Sequence, residues 1–127
     1  MEFLNSAHNL ELFTIERSVK DIPKTYTFIL RVPLCESART INKLVTYANS
    51  IFPDSIKDQE QKNRMISKRL EYQRMAVMEI QNMLEILTIA SERIPIKDTV
   101  LCEWTELILK EEKAIKNWHE ADKKRYT

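Results

Sequence analysis

Not one of the 127 residues is glycine. Average usage would supply about nine. Phosphate-cradling loops, dinucleotide fingerprints and nucleophile elbows all need backbone without a Cβ, so this chain has none of them. Primed β-hairpin turns depend on the same residue and are hard to build without it. Helices lose nothing by its absence. The composition, 43% hydrophobic and 31% charged, is that of a globular chain rather than a disordered one.

Hydrophobic spacing extends the same conclusion. Met1 to Ala7 reads as a loose leader. A first helix is predicted from about His8 to Ile22, with Leu12, Ile15, Val19 and Ile22 as its apolar stripe, and Pro23 breaks it. A second helix is predicted from Pro23 to about Phe52, with Phe28, Leu34, Cys35, Ala38, Ile41, Leu44, Val45 and Ala48 facing the core. Pro33 lies inside that pattern and predicts a kink or a break. Residues 49–60 read as a connector. A long third helix spans Gln59 to Arg93, with a seam of Ile66, Leu70, Gln73, Val77, Ile80, Leu84 and Leu87. After Pro95 a fourth helix runs from Asp98 to about Lys124 on a stripe of Val100, Trp104, Leu107, Ile108, Ile115 and Trp118. Residues 119–127 form a basic tail. No window alternates with the period of a strand. The expectation is a single all-α domain over residues 1–127, an antiparallel up-down four-helix bundle.

Catalytic constellations are sparse. His8 and His119 lie at opposite ends of the chain, without ligand-spaced partners, so no metal site is expected. His119 reads as solvent-facing beside Trp118. Cys35 and Cys102 form no motif and read as small buried hydrophobes. With no signal peptide visible, they suggest a reducing cytoplasm. No apolar stretch reaches the ~18 residues of a membrane span. Glu111 falls on the apolar face of helix four, where a carboxylate must be paired, hydrogen-bonded or protonated. A buried ion pair or a polar patch at a subunit contact is the expectation. Gln73, level with Trp118 in an antiparallel hairpin, is expected to accept the indole N–H. The chain is expected to be no enzyme and to carry no cofactor.

The net charge is only +1, so any polyanion partner must be met locally. Lys57 to Arg74 holds six basic and three acidic residues, and Lys20 to Lys43 five and two. The candidate nucleic-acid contacts are Arg31, Arg39, Lys43, Lys57, Arg64, Lys68, Arg69, Arg74, Lys116, Lys123, Lys124 and Arg125. Acidic residues interspersed among them predict weak, salt-sensitive binding of RNA or DNA without strong sequence preference. Trp118, Tyr126, Tyr47 and Phe52, near helix ends, are candidates for contacts between bundles.

Ile22-Pro23-Lys24, followed by a helix closing in Tyr47-Ala48-Asn49, resembles a pattern of small bacterial four-helix bundle proteins. In the second half, Arg69-Leu70 leads to Leu87-Thr88-Ile89-Ala90. Ile96 then precedes a helix closing in Ala114-Ile115-Lys116-Asn117-Trp118. From about Leu10 to Trp118 the chain resembles the accessory variability determinant (Avd) proteins of diversity-generating retroelements. These are similar in turn to proteins encoded in intervening sequences of large-subunit ribosomal RNA genes. The resemblance implies a homopentameric bundle that binds nucleic acid and associates with the element's reverse transcriptase during mutagenic copying of a template RNA. The polymerase chemistry belongs to the partner. The chain departs from the pattern at Asn117, where a glycine commonly precedes the closing tryptophan, at Glu111, where an apolar residue is expected, and in its low net charge. The alternative is a structural, self-assembling bundle of the intervening-sequence group with no enzymatic activity.

Overall fold

A computed structural model describes residues 2–126. Four α-helices follow one another among these residues: α1 (Glu2–Asp21), α2 (Val32–Asn49), α3 (Gln59–Arg93) and α4 (Asp98–Tyr126). α1 packs on α2 and α4, and α3 packs on the same two, so consecutive helices antiparallel to one another close a four-cornered bundle. The all-α four-helix expectation holds. No helix among the described residues is long and apolar enough to cross a membrane.

The punctuation is local chemistry. The Asp58 carboxylate accepts the Gln61 backbone N–H at 2.9 Å and caps α3. At the other end of α3 the chain turns extended at Ile94, just before Pro95. The expected interruption at Pro33 takes the form of a change of helix type: regular α-helix begins only at Val32, with Pro33 in its first turn. Pro33 lacks an amide hydrogen and its ring crowds the preceding turn. The backbone responds by widening that turn into a π-helix, Thr27–Arg31, in which the Val32 N–H reaches back to the Thr27 carbonyl. A 3₁₀ turn, Lys24–Tyr26, precedes it, so α2 itself starts at Val32 rather than Pro23.

The core is built from Leu10, Leu34, Ile41, Val45, Ile80, Met83, Leu87, Trp104, Ile108 and Ile115, all essentially inaccessible. Full burial of each aliphatic side chain stabilises by about 1.5–3 kcal/mol. The core faces expected for α3 and α4 are the ones found, with Met83 and Ala76 lying deeper in α3 than Val77 and Leu84.

α1 departs from expectation twice. Residues 2–7 are helical rather than a loose leader, and Phe3 stacks on Trp118 at 3.8 Å between ring centres, the two planes nearly parallel. Met1 and Thr127 lie outside the described residues. Of the expected stripe, Ile22 is buried but the other three residues face outward. Leu12, Ile15 and Val19 are exposed, while Ser6, Ala7, Leu10, Thr14 and Ser18 face inward. The buried Trp104 indole supplies one reason. Its N–H needs an acceptor, and the Thr14 hydroxyl takes it at 3.1 Å. Phe28, assigned above to the core stripe of α2, is also exposed, as is Cys102. Cys35 is half-buried and its thiol lies 3.7 Å from the Ser18 hydroxyl.

Candidate functional site

Antiparallel packing brings the start of α3 and the end of α4 to one end of the bundle, together with the start of α1 and the end of α2. Residues 54–74 and 116–126 hold ten basic and six acidic side chains, whereas the rest of the chain holds ten and thirteen. A chain with almost no net charge therefore has a basic end. Lys57, Arg64, Lys68, Arg74, Lys116, Lys123, Lys124 and Arg125 are all exposed there.

A buried polar network underlies this surface. Asp122, on the inner face of α4, receives the Arg69 guanidinium through Nε at 2.7 Å and Nη2 at 3.4 Å. The third Arg69 nitrogen donates to the Ile51 carbonyl at 2.7 Å, so one side chain ties α3, α4 and the α2–α3 connector together. The Gln73 amide donates to Asp122 at 2.6 Å, and its oxygen faces His119 Nδ1 at 2.8 Å. An amide oxygen only accepts, so the imidazole carries its proton on Nδ1 and Nε2 is left as an acceptor. Burial holds the His119 pKa below the usual imidazole value, and the charges of Arg74 and Lys123 push the same way. Neutral His119 is thus fixed in one tautomer.

Several expectations change here. Gln73 meets Asp122 and His119 rather than the Trp118 indole, one turn further along α4 than expected. His119 is half-buried rather than solvent-facing. Arg69 is committed to the fold: its side chain is 11% exposed and lies over the Trp118 ring at 5.2 Å. Trp118 in turn packs within its own bundle against Phe3. Tyr47 and Phe52 remain exposed.

The other candidates divide by position. Arg74, Lys116 and His119 line one groove between α3 and α4, of about 480 Å³, whose remaining walls are Val77, Met78 and Glu120. A cationic rim over an apolar floor suits a phosphate with a stacked base or other flat apolar group beside it. Lys68 lies over the Tyr72 ring at 5.9 Å. Arg125 pairs with Asp54, which also draws Lys62 to 3.6 Å. Lys116 and Lys123 have carboxylates at 3.7 and 3.8 Å, in Glu112 and Glu120. All four of these pairs are partly solvated, so a polyanion competes for the cations at little cost. Among the described residues, Lys43, Lys57, Arg64, Arg74 and Lys124 form no ion pair. Arg39 and Lys43 lie on another side of the bundle, on a small groove between α1 and α2, where Arg39 pairs with Glu11 at 3.2 Å. Arg31 belongs to the opposite end. It donates to the Ile22 carbonyl at 2.8 Å and the Val19 carbonyl at 3.2 Å, closing the end of α1.

Asp122 was missed by sequence reasoning, although its signal was present. It continues the three–four spacing of Trp104, Ile108, Glu111, Ile115 and Trp118 onto the inner face. Glu111 is buried as its phase predicts, and among the described residues it has no ion-pair partner. Both carboxyl oxygens are buried without a hydrogen bond. Burial, aided by the charge of Glu2, raises its pKa to about 9, so it is held as the neutral acid. No group of three or more His, Cys, Asp or Glu side chains suited to a metal ion occurs among the described residues. Comparison of the chain with protein-family models, with curated proteins and with solved structures finds no match.

Proposed function

We propose that the protein is a non-catalytic, nucleic-acid-binding accessory factor of the kind its sequence resembles, a partner of a reverse transcriptase in a diversity-generating retroelement. The observation that carries this reading is the concentration of exposed basic side chains at one end of a nearly uncharged molecule. Lysines and arginines spread along α3 and α4 track a phosphate backbone and release its counterions, which gives affinity without base readout. The groove of Arg74, Lys116 and His119 adds a place for one base beside one phosphate. Arg69 and Arg31 contribute through the fold rather than by contact.

Reversing Lys57, Arg64, Lys68 and Lys124 to glutamate is expected to weaken single-stranded RNA binding by about tenfold or more. It should also lower the slope of log affinity against log salt by about 3, at ~0.7 per lost phosphate contact. Fluorescence anisotropy across a salt series measures both. Binding that is unchanged in strength and slope removes the basic end from the function.

A second reading, the self-assembling structural bundle of the intervening-sequence group, is favoured by one observation: the apolar outer face of α1. Genomic context separates the two. A neighbouring reverse-transcriptase gene with near-duplicate repeats supports the first, and a position within a ribosomal RNA gene the second.

A further inference from the structure

The buried network under the basic end finishes at a surface atom. Asp122 only accepts, so the fully buried Gln73 amide turns its nitrogen to that carboxylate and its oxygen away. The oxygen meets His119 Nδ1 at 2.8 Å and fixes the imidazole proton there. Because Gln73 lies in the core, the opposite edge of the ring, with Nε2, turns outward to the α3–α4 groove that His119 lines. Among the described residues Nε2 takes part in no hydrogen bond. The Arg69 guanidinium already balances the Asp122 charge at 2.7 Å. Gln73 and His119 carry the network one step further, and its outer end is a fixed acceptor between two cations. Arg74 forms no ion pair among the described residues, Lys116 has Glu112 at 3.7 Å, and Glu120, the groove's one carboxylate, lies 3.8 Å from Lys123.

We infer that this groove tells RNA from DNA: His119 Nε2 accepts the hydrogen of a ribose 2′-hydroxyl, while Arg74 and Lys116 hold the phosphate on the same sugar. This rests on the nucleic-acid reading above and names which nucleic acid the site takes. Three features favour the hydroxyl over other donors. The first is polarity. A phosphate oxygen has no hydrogen to give, so an acceptor set between two cations is wasted on the phosphate itself. A basic side chain of a protein partner has hydrogens to give, but Arg74 and Lys116 repel it. The second is reach. Arg74 stands near enough to His119 for its charge to act on the ring. In a nucleotide the 2′-oxygen and the 3′-phosphate ester sit on neighbouring ring carbons, so a phosphate held by Arg74 brings that hydroxyl with it. The third is the floor. Val77 and Met78 offer a base a face to stack on and no edge to read, so the one fixed acceptor is left for the sugar. The 2′-hydroxyl is present on every ribonucleotide and on no deoxyribonucleotide, and satisfying Nε2 with it imposes no sequence.

Fluorescence anisotropy on the whole chain tests the inference, with one short uracil-only strand made as RNA, DNA, 2′-fluoro RNA and 2′-O-methyl RNA. At fixed salt the RNA is expected to bind about threefold to tenfold more tightly than the other three, the value of one neutral hydrogen bond. The 2′-fluoro strand keeps the sugar pucker of RNA without the hydroxyl hydrogen, so a preference it shares comes from strand shape and overturns the inference. His119→Phe keeps a flat ring without the acceptor and is expected to abolish the preference. Lys116→Ala should weaken RNA and DNA together and keep their ratio. A preference that survives in folded His119→Phe overturns the inference. Nitrogen-15 NMR of the wild-type imidazoles reads the same point without a variant. His119 is expected with its proton on Nδ1, and its Nε2 signal should shift with the RNA strand and not with the DNA strand. A proton on Nε2 in the free protein, or equal shifts with both strands, overturns it equally. Salt-sensitive binding of equal strength to all four strands overturns this inference and leaves the nucleic-acid reading standing. Binding to none of them removes that reading, and this inference with it.

Discussion

α1 and α3 belong to the same bundle but follow their apolar periodicity to different degrees. α3 buries its seam, with Ile66, Ile80 and Leu87 inside, and its outer face is mostly charged and polar apart from Met75, Met78 and Ile89. α1 mixes Ser6, Thr14 and Ser18 with Leu10 on its buried face and turns Leu12, Ile15 and Val19 outward. The difference lies in what each helix packs against. α3 meets α2 and α4 along apolar seams, so its own apolar phase decides its rotation. α1 closes over Trp104, whose buried N–H must be satisfied, and only the Thr14 face supplies the acceptor. An unpaired buried donor costs about 1–3 kcal/mol, enough to outweigh an imperfect apolar match. Apolar periodicity therefore predicts rotation reliably where only one stripe is available, and poorly where a polar obligation competes.

The sharpest way to break the comparison is at the α3–α4 junction. Asp122→Ala leaves the Arg69 guanidinium and the Gln73 amide without their acceptor in a closed site. A loss of about 3–5 kcal/mol is expected in urea unfolding. Loss below ~1 kcal/mol would mean that α3 and α4 are held by apolar contacts alone.

Glu111→Met tests the same helix with the opposite sign. The folded pKa of about 9 lies above the ordinary 4.5, so the folded chain keeps a proton that the unfolded chain releases. Its contribution to stability is whole below pH 4.5 and declines as pH rises towards 9. At pH 7 the variant should be more stable by about 3 kcal/mol, because each pH unit above 4.5 costs the protonated acid ~1.4 kcal/mol relative to the ionised form in the unfolded chain. Its unfolding free energy should lack the decline between pH 5 and 9. Parallel pH profiles for the two proteins would show that Glu111 finds a partner in solution.

Thr14→Val keeps the shape of α1 and removes the indole's acceptor. About 1–3 kcal/mol should be lost, and the tryptophan emission should shift as the Trp104 environment changes. No loss would remove the explanation given for the rotation of α1. The smallest effect is expected outside. Val19→Ser in dilute protein, below any association, should move stability by less than ~0.5 kcal/mol. A larger loss would mean that α1 turns Val19 inward.

The basic end shows how far charge and phase go. Arg64, Lys68 and Lys124 are exposed as their helical positions predict, Lys57 is exposed in the connector ahead of α3, and Arg74 and Lys116 share a groove. Arg69 carries the same charge and is buried, because a carboxylate 53 residues away on the inner face of α4 receives it. Pairing across that separation has no local signature. Arg31 departs from its expected role for a related reason: its partners are backbone carbonyls, Ile22 nine residues back and Val19 twelve.

What the sequence determined by itself is what short-range chemistry controls. The missing glycines and the helical spacing set the all-α class. Pro95 and the Asp58 cap set the bounds of α3, and the three–four pattern put Glu111 inside α4. The tertiary structure decided which stripe of α1 faces inward, which arginines are taken up by buried partners, and which basic residues gather at one end. These depend on contacts between helices, where a single indole N–H or carboxylate outweighs several weak local preferences.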